Sequence, residues 1–143
     1  QESKMLPDHI REFVSQNHQA VLTTFRRSGA AQMSIVTVGA YRDGVAFTTT
    51  VGRAKLSNLN RDPRCSLLVS KQDWWGYVVL EGRAVVMSSH NTDPQELAFA
   101  LRDVYRAASG TEHPDWDEYD QAMVTDRRAA IVVVPDHVYG TAL

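Results

Sequence analysis

Apolar residues change their spacing several times along this chain, and each change marks an element. Leu6, Ile10, Phe13 and Val14 recur at helical intervals while Arg11, Glu12 and Gln16 fall opposite, which predicts a one-sided surface helix from Pro7 to Asn17. The period then shortens to two. From Gln19 to Arg26, Ala20, Leu22 and Thr24 alternate with Val21, Thr23 and Phe25, a β-branched mixture suited to a strand. Ser28-Gly29 turns the chain, and Gln32 to Tyr41 reads as one returning strand. Arg42-Asp43-Gly44 is a hairpin signal, and Val45 to Thr50 follows as a third strand. The three strands are expected to form an antiparallel meander, the start of a sheet of the kind that closes into barrels.

Helical spacing returns briefly between Ala54 and Asn60, through Leu56 and Leu59, and Asp62-Pro63 ends it. Arg64 to Ser70 is a strand, and Gly76 to Met87 is a longer one with a bend expected at Glu81-Gly82. Asp93-Pro94 caps and opens a helix whose stripe is Leu97, Leu101, Val104, Tyr105 and Ala108, and Gly110 stops it. A second helix from Pro114 to Thr125 sets Trp116, Tyr119 and Met123 on one face, with an acidic, solvated opposite side. Ala129 to Val134 is an unbroken apolar run, expected to be a central strand that Pro135 closes. Strands and helices do not alternate as they do in a doubly wound sheet. The expectation is a single domain over residues 1–143, mainly β, with peripheral helices packed outside a barrel.

Composition narrows the function. Hydrophobic residues make up 43% and charged residues 22%, which excludes wholesale disorder. A net charge of −2 offers no general attraction to nucleic acid or anionic membrane, so any anion site must be local. No apolar run approaches ~18 residues and no signal-like segment is seen, so a cytoplasmic setting is the expectation. Cys65 is the sole cysteine and sits in an apolar run, as a buried, inert thiol would. The five histidines lack metal-ligand spacing, and no G-x-S-x-G elbow occurs.

The strongest chemical signal is Thr48-Thr49-Thr50-Val51-Gly52-Arg53-Ala54-Lys55. A strand ends in hydroxyls, a glycine permits a tight turn, and two cations enter a helix N-terminus, where free N–H groups favour an anion. Arg53 suits bidentate phosphate contacts and Lys55 adds a point charge. Local pattern alone weighs this evenly against two solvated cations. Gln32 and Ser34 share one strand face, which more often points to solvent than to the polar edge of a ring system. Of Trp74 and Trp75, one is expected to pack inward and the other to cover a groove or a partner. Arg127-Arg128 reads as an exposed pair ahead of a strand, with a role toward an anion as the alternative.

Gly52-Arg53-Ala54-Lys55-x-x-Asn58-Leu59-x-x-Asp62-Pro63-Arg64, together with Trp75-Gly76-Tyr77 and Glu81-Gly82-x-Ala84, resembles the pyridoxamine-phosphate-oxidase-like split β-barrel flavin family. The tail, with Asp115-Trp116-x-x-Tyr119, Met123 to Arg128 and His137-Val138-Tyr139-Gly140, is similar to the branch that uses the deazaflavin F420. The resemblance implies a homodimer with two interfacial cofactor sites. It implies Arg53, Ala54 and Lys55 at the cofactor phosphate, Thr48 and Thr50 at the same end, and Gln32, Ser34 and Val36 along the ring. Trp75 and Tyr77 would come from the second subunit, Tyr77 also being the candidate proton donor. The implied activity is hydride transfer from reduced F420 to a planar, partly apolar small molecule such as an enone, lactone, quinone or tetrapyrrole. An FMN-dependent oxidoreductase, or a non-catalytic flavin or tetrapyrrole binder, is the alternative. The substrate-phosphate arginines of the vitamin B6 oxidases have no match in Pro135 to Leu143, which argues against that reaction.

Overall fold

Ile10 and Val14 lie on one side of the first helix, α1 (Asp8–Gln16), Leu6 just precedes it, and all three are buried. They cover one part of a curled sheet in the computed structural model, which describes residues 6–143. Seven strands follow: β1 (Gln19–Phe25), β2 (Ala31–Thr37), β3 (Gly39–Tyr41), β4 (Gly44–Thr50), β5 (Arg64–Ser70), β6 (Tyr77–Met87) and β7 (Arg128–Tyr139). Three further helices are α2 (Ala54–Arg61), α3 (Pro94–Ser109) and α4 (Trp116–Thr125).

The strand order is β2-β1-β5-β6-β7-β4-β3, with every pair antiparallel. The sequence pattern predicts one strand from Gln32 to Tyr41, but the chain breaks at Val38. There the Val38 N–H donates to the His18 carbonyl at 2.8 Å. The two halves stand at opposite ends of the sheet order, so the expected three-strand meander is two hairpins, β1–β2 and β3–β4. A sheet whose two edges are joined by consecutive residues must curl, and this joint forms the seam of the half-barrel.

Inward positions of the strands, among them Leu22, Phe47, Leu67, Leu80 and Ile131, pack with Leu56 and Leu59 of α2 in one buried cluster. Cys65 belongs to it, and burial pushes its thiol up to about 12. The outward face of β4 and β7 carries Ala46, Ala130 and Val132, and α3 covers it with Leu97, Leu101 and Val104. Gly39 lets α3 approach: a Cβ there would stand 2.3 Å from the Ala107 carbonyl carbon. Asp93 accepts from the Gln95 and Glu96 amides at the start of α3, and Gly110 ends it at φ 75°, both as the sequence leads one to expect.

Pro135 does not close the last strand. β7 runs on to Tyr139, because Gly82 pairs with Pro135 and Glu81 with His137, leaving Asp136 without a partner. The proline, which lacks an N–H, falls at a bulge where the ladder is already interrupted.

Candidate functional site

Thr48 and Thr50 continue the outward face of β4 beyond the edge of the covering helices, and Arg128 opens β7 directly opposite Thr50. Gly52, at φ 98°, then turns the chain so that Arg53 caps α2 and Lys55 sits in its first turn. A cleft of about 390 Å³ results, lined by Ile35, Val36, Thr48, Thr50, Arg53, Lys55 and Arg128 among others. None of its lining residues is acidic, and none of the three cations takes part in an ion pair among the described residues.

The hydroxyls fix the guanidinium groups. Arg53 Nε donates to Thr50 Oγ1 at 3.3 Å, and Arg128 Nη1 donates to Thr48 Oγ1 at the same distance. Arg128 Nε is buried and has no hydrogen-bond partner. Burial lowers the pKa of Lys55, and the neighbouring charges of Arg53 and Arg128 lower it further. Three converging cations with spare donors and no counter-charge make a receptor for a phosphate-type anion. The donor set therefore fits the phosphate of a flavin or deazaflavin nucleotide.

Arg128 corrects the reading of Arg127-Arg128 as an exposed pair. Arg127 is exposed, with φ 53°, but Arg128 is half-buried in the cleft. Its signal lay in strand pairing rather than in local pattern, since 80 positions separate it from Thr48.

The other expected site residues divide. Val36 joins Thr48, Thr50, Arg53 and Lys55 at the cleft. Ala54 is exposed at the first position of α2. Gln32 and Ser34 are half-buried with Val36, while Met33 and Ile35 are 65% and 78% exposed, so the polar face expected to meet solvent is turned inward and the exposed side of β2 is the apolar one. Asn58 Nδ2 donates to Gln32 Oε1 at 3.0 Å and to Thr24 Oγ1 at 3.1 Å, tying β1, β2 and α2 together. Trp74 and Trp75 are 53% and 84% exposed, so neither packs inward. Strand alternation does not apply to them, because they lie in the 71–76 loop, where Trp74 has φ 69°. Neither Trp75 nor the half-buried Tyr77 lines the cationic cleft.

A row of registered neighbours crosses the outer face of the sheet. Ile35 pairs with Val21, Val21 with Leu68, Leu68 with Val79, and Val79 with Tyr139. Five apolar side chains thus align over four inter-strand spacings, roughly 19 Å at about 4.8 Å each. Ile35 also lines the cleft, so one end of the row abuts the cations. Tyr77, two positions from Val79 on the same strand face, marks the opposite end.

The pyridoxamine 5'-phosphate oxidase family model matches residues 6–142. A conserved hypothetical protein of Mycobacterium tuberculosis has the same fold, with a TM-score of 0.76 and 20% identity over 98% of this chain and 88% of that one. A structure described as an F420 reductase is 25% identical, covering 94% of this chain and 98% of its own, with a TM-score of 0.63. A heme-binding protein of Mycobacterium smegmatis shares the fold at 16% identity and a TM-score of 0.66, over 94% of this chain and 53% of that one. Matched along nearly its whole described length, with the curled sheet to go with it, the chain belongs to the pyridoxamine 5'-phosphate oxidase family.

Proposed function

We propose that the protein is an F420H2-dependent reductase, working as a homodimer in the cytoplasm on a planar, partly apolar electrophile. The observation that carries this reading is the cleft of Arg53, Lys55 and Arg128, free of carboxylates, at the entrance to α2. The 25% identity to an F420 reductase, over most of both chains, supports the deazaflavin over FMN.

The outer row Ile35–Val21–Leu68–Val79–Tyr139 supports the dimer. An apolar stripe of this kind needs cover, and a two-fold axis pairs the same patch on both subunits. With the stripes antiparallel, the Tyr77 end of one subunit meets the Ile35 end, and therefore the cationic cleft, of the other. Trp75 and Tyr77 then complete a pocket that each subunit alone leaves open. An interface of at least ~1,000 Å² is expected for such an association.

Bound F420H2 supplies the hydride; the chain supplies position and charge. Arg53, Lys55 and Arg128 hold the phosphate, Val36 and Ile35 form an apolar wall beside it, and Trp75 of the second subunit excludes water. Placement carries the catalysis, and Tyr77 is the candidate to deliver a proton to the product. Enones, lactones, quinones and tetrapyrroles are the electrophile classes that suit such a pocket. A flavin or tetrapyrrole carrier without turnover is the second reading, favoured by the heme-binding protein of the same fold. Oxidation of reduced F420 by a menadione or enone panel separates the two: turnover supports the reductase, and stoichiometric binding without turnover supports the carrier.

A further inference from the structure

Arg128 borders more than the cationic cleft. On its other side lies a cavity of about 320 Å³ between α3 and α4, walled by Leu97, Leu101, Met123 and Val124, with Arg127 and Arg128 at one end. The one carboxylate in its lining, Asp120, is already engaged: Arg102 donates to it through Nε at 2.9 Å and through a second nitrogen at 2.5 Å. That leaves an apolar chamber with a positive end. Neither Arg127 nor Arg128 takes part in an ion pair among the described residues, so a carboxylate in the chamber meets positive charge that no carboxylate already neutralises.

We propose that the α3–α4 cavity is a second ligand site, taking an amphipathic monocarboxylate whose apolar body lies on Leu97, Leu101 and Met123 and whose carboxylate pairs with Arg128. An alcohol of the same length satisfies the wall but not the guanidinium, and a short acid satisfies the guanidinium but not the wall. The cavity's size is at the lower end of ordinary ligand pockets, which suits a medium-length chain rather than a fused ring system. The inference does not depend on which cofactor the cationic cleft binds. Because Arg128 lines both sites, a carboxylate in the cavity competes for its charge with an anion in the cleft, and by linkage each ligand weakens the other by the same factor.

The test uses the full chain and isothermal titration with octanoate, octan-1-ol and butyrate, on the wild type and on Ala98→Phe and Arg128→Gln. Ala98 is a half-buried lining residue, so Phe fills the cavity without replacing a core side chain. Thermal melts establish that each variant is folded. Octanoate is expected to bind once per chain, more tightly than octan-1-ol, with butyrate undetectable. Ala98→Phe should weaken octanoate by at least about tenfold, and Arg128→Gln should weaken octanoate about tenfold while leaving octan-1-ol unchanged. Inorganic pyrophosphate, as a probe of the cleft, should lower octanoate affinity in the wild type. Equal binding of acid and alcohol, or octanoate affinity untouched by both substitutions, overturns the proposal. So does a wild type that refuses octanoate while Ala98→Phe changes its oligomeric mass, since the groove is then a contact between chains.

Discussion

Arg128 Nη1 donates to Thr48 Oγ1 at 3.3 Å, joining the first residue of β7 to the fifth of β4. The bond holds a cation next to Arg53 and Lys55 that neither local pattern nor spacing places there. It also leaves the buried Nε of the same guanidinium without a partner. The site is thus built from two segments, the β4–α2 turn and the start of β7, which only the antiparallel pairing of β4 with β7 brings together.

Removing any one of the three cations should weaken cofactor binding and leave the fold intact. A charge-assisted hydrogen bond to phosphate is worth about 1.5–3 kcal/mol, or about tenfold to over a hundredfold in affinity. Arg53→Ala, Lys55→Ala and Arg128→Gln are each expected to raise the cofactor Kd within that range, with native thermal melts. Unchanged dissociation constants in all three would place the phosphate elsewhere.

Lys55 makes the binding depend on pH. Burial, with Arg53 and Arg128 beside it, lowers its pKa in the folded protein below the ordinary lysine value of 10.5. Without a bound anion, the charged lysine costs stability in full below the folded pKa. That cost is relieved as pH rises through the folded pKa toward the unfolded value. A phosphate reverses the shift, so anion binding takes up protons in this window and weakens as the pH rises through it. Titration of the cofactor between neutral and alkaline pH should show that loss in the wild type, and Lys55→Met should flatten it.

Ile35 is 78% exposed, so replacing it disturbs little within one subunit. On the proposed dimer it lies at the end of the apolar row that meets the Tyr77 end of the second subunit. Ile35→Glu should therefore convert a dimer into a folded monomer at micromolar concentration, read by sedimentation or light scattering. A wild type of monomer mass contradicts the interface outright.

Much of the architecture was legible in the chain. Helical spacing located α1 and α3, Asp93-Pro94 and Gly110 marked the ends of α3, and Glu81-Gly82 marked the bulge. What escaped was non-local. The break at Val38 arises because the sheet curls and its seam falls there, and β7 continues through Pro135 because a bulge at Asp136, opposite Glu81-Gly82 of β6, accommodates it. At the site, Arg53 and Lys55 were visible because a strand, a glycine turn and a helix start are contiguous in sequence. Arg128 was not, since its partner Thr48 is 80 positions away. The outer row from Ile35 to Tyr139 draws one residue from each of five strands, so no single stretch displays it.

Burial raises the Cys65 thiol to about 12, which leaves almost no thiolate at neutral pH. The native protein should resist a thiol-specific reagent such as dithionitrobenzoate and react only as fast as it unfolds. Rapid stoichiometric labelling without loss of structure would contradict the buried placement.

Trp75 and Tyr77 separate placement from proton delivery. Trp75→Ala should lower kcat/KM more than Tyr77→Phe, because in the proposed dimer it opens the pocket wall, whereas water can still protonate the product when the tyrosine hydroxyl is lost. The Tyr77→Phe cost is expected to be about tenfold or less, at the low end of general-acid contributions. Loss of all activity in Tyr77→Phe would instead make its hydroxyl the required proton donor.

The most direct test of the reductase reading is a side-by-side titration of the purified protein with F420 and FMN, followed by steady-state oxidation of each reduced cofactor with menadione as acceptor. Tighter F420 binding, one per subunit, and turnover supported by reduced F420 is the expected result. Tight FMN binding with FMN-supported turnover, and none with F420, would contradict it.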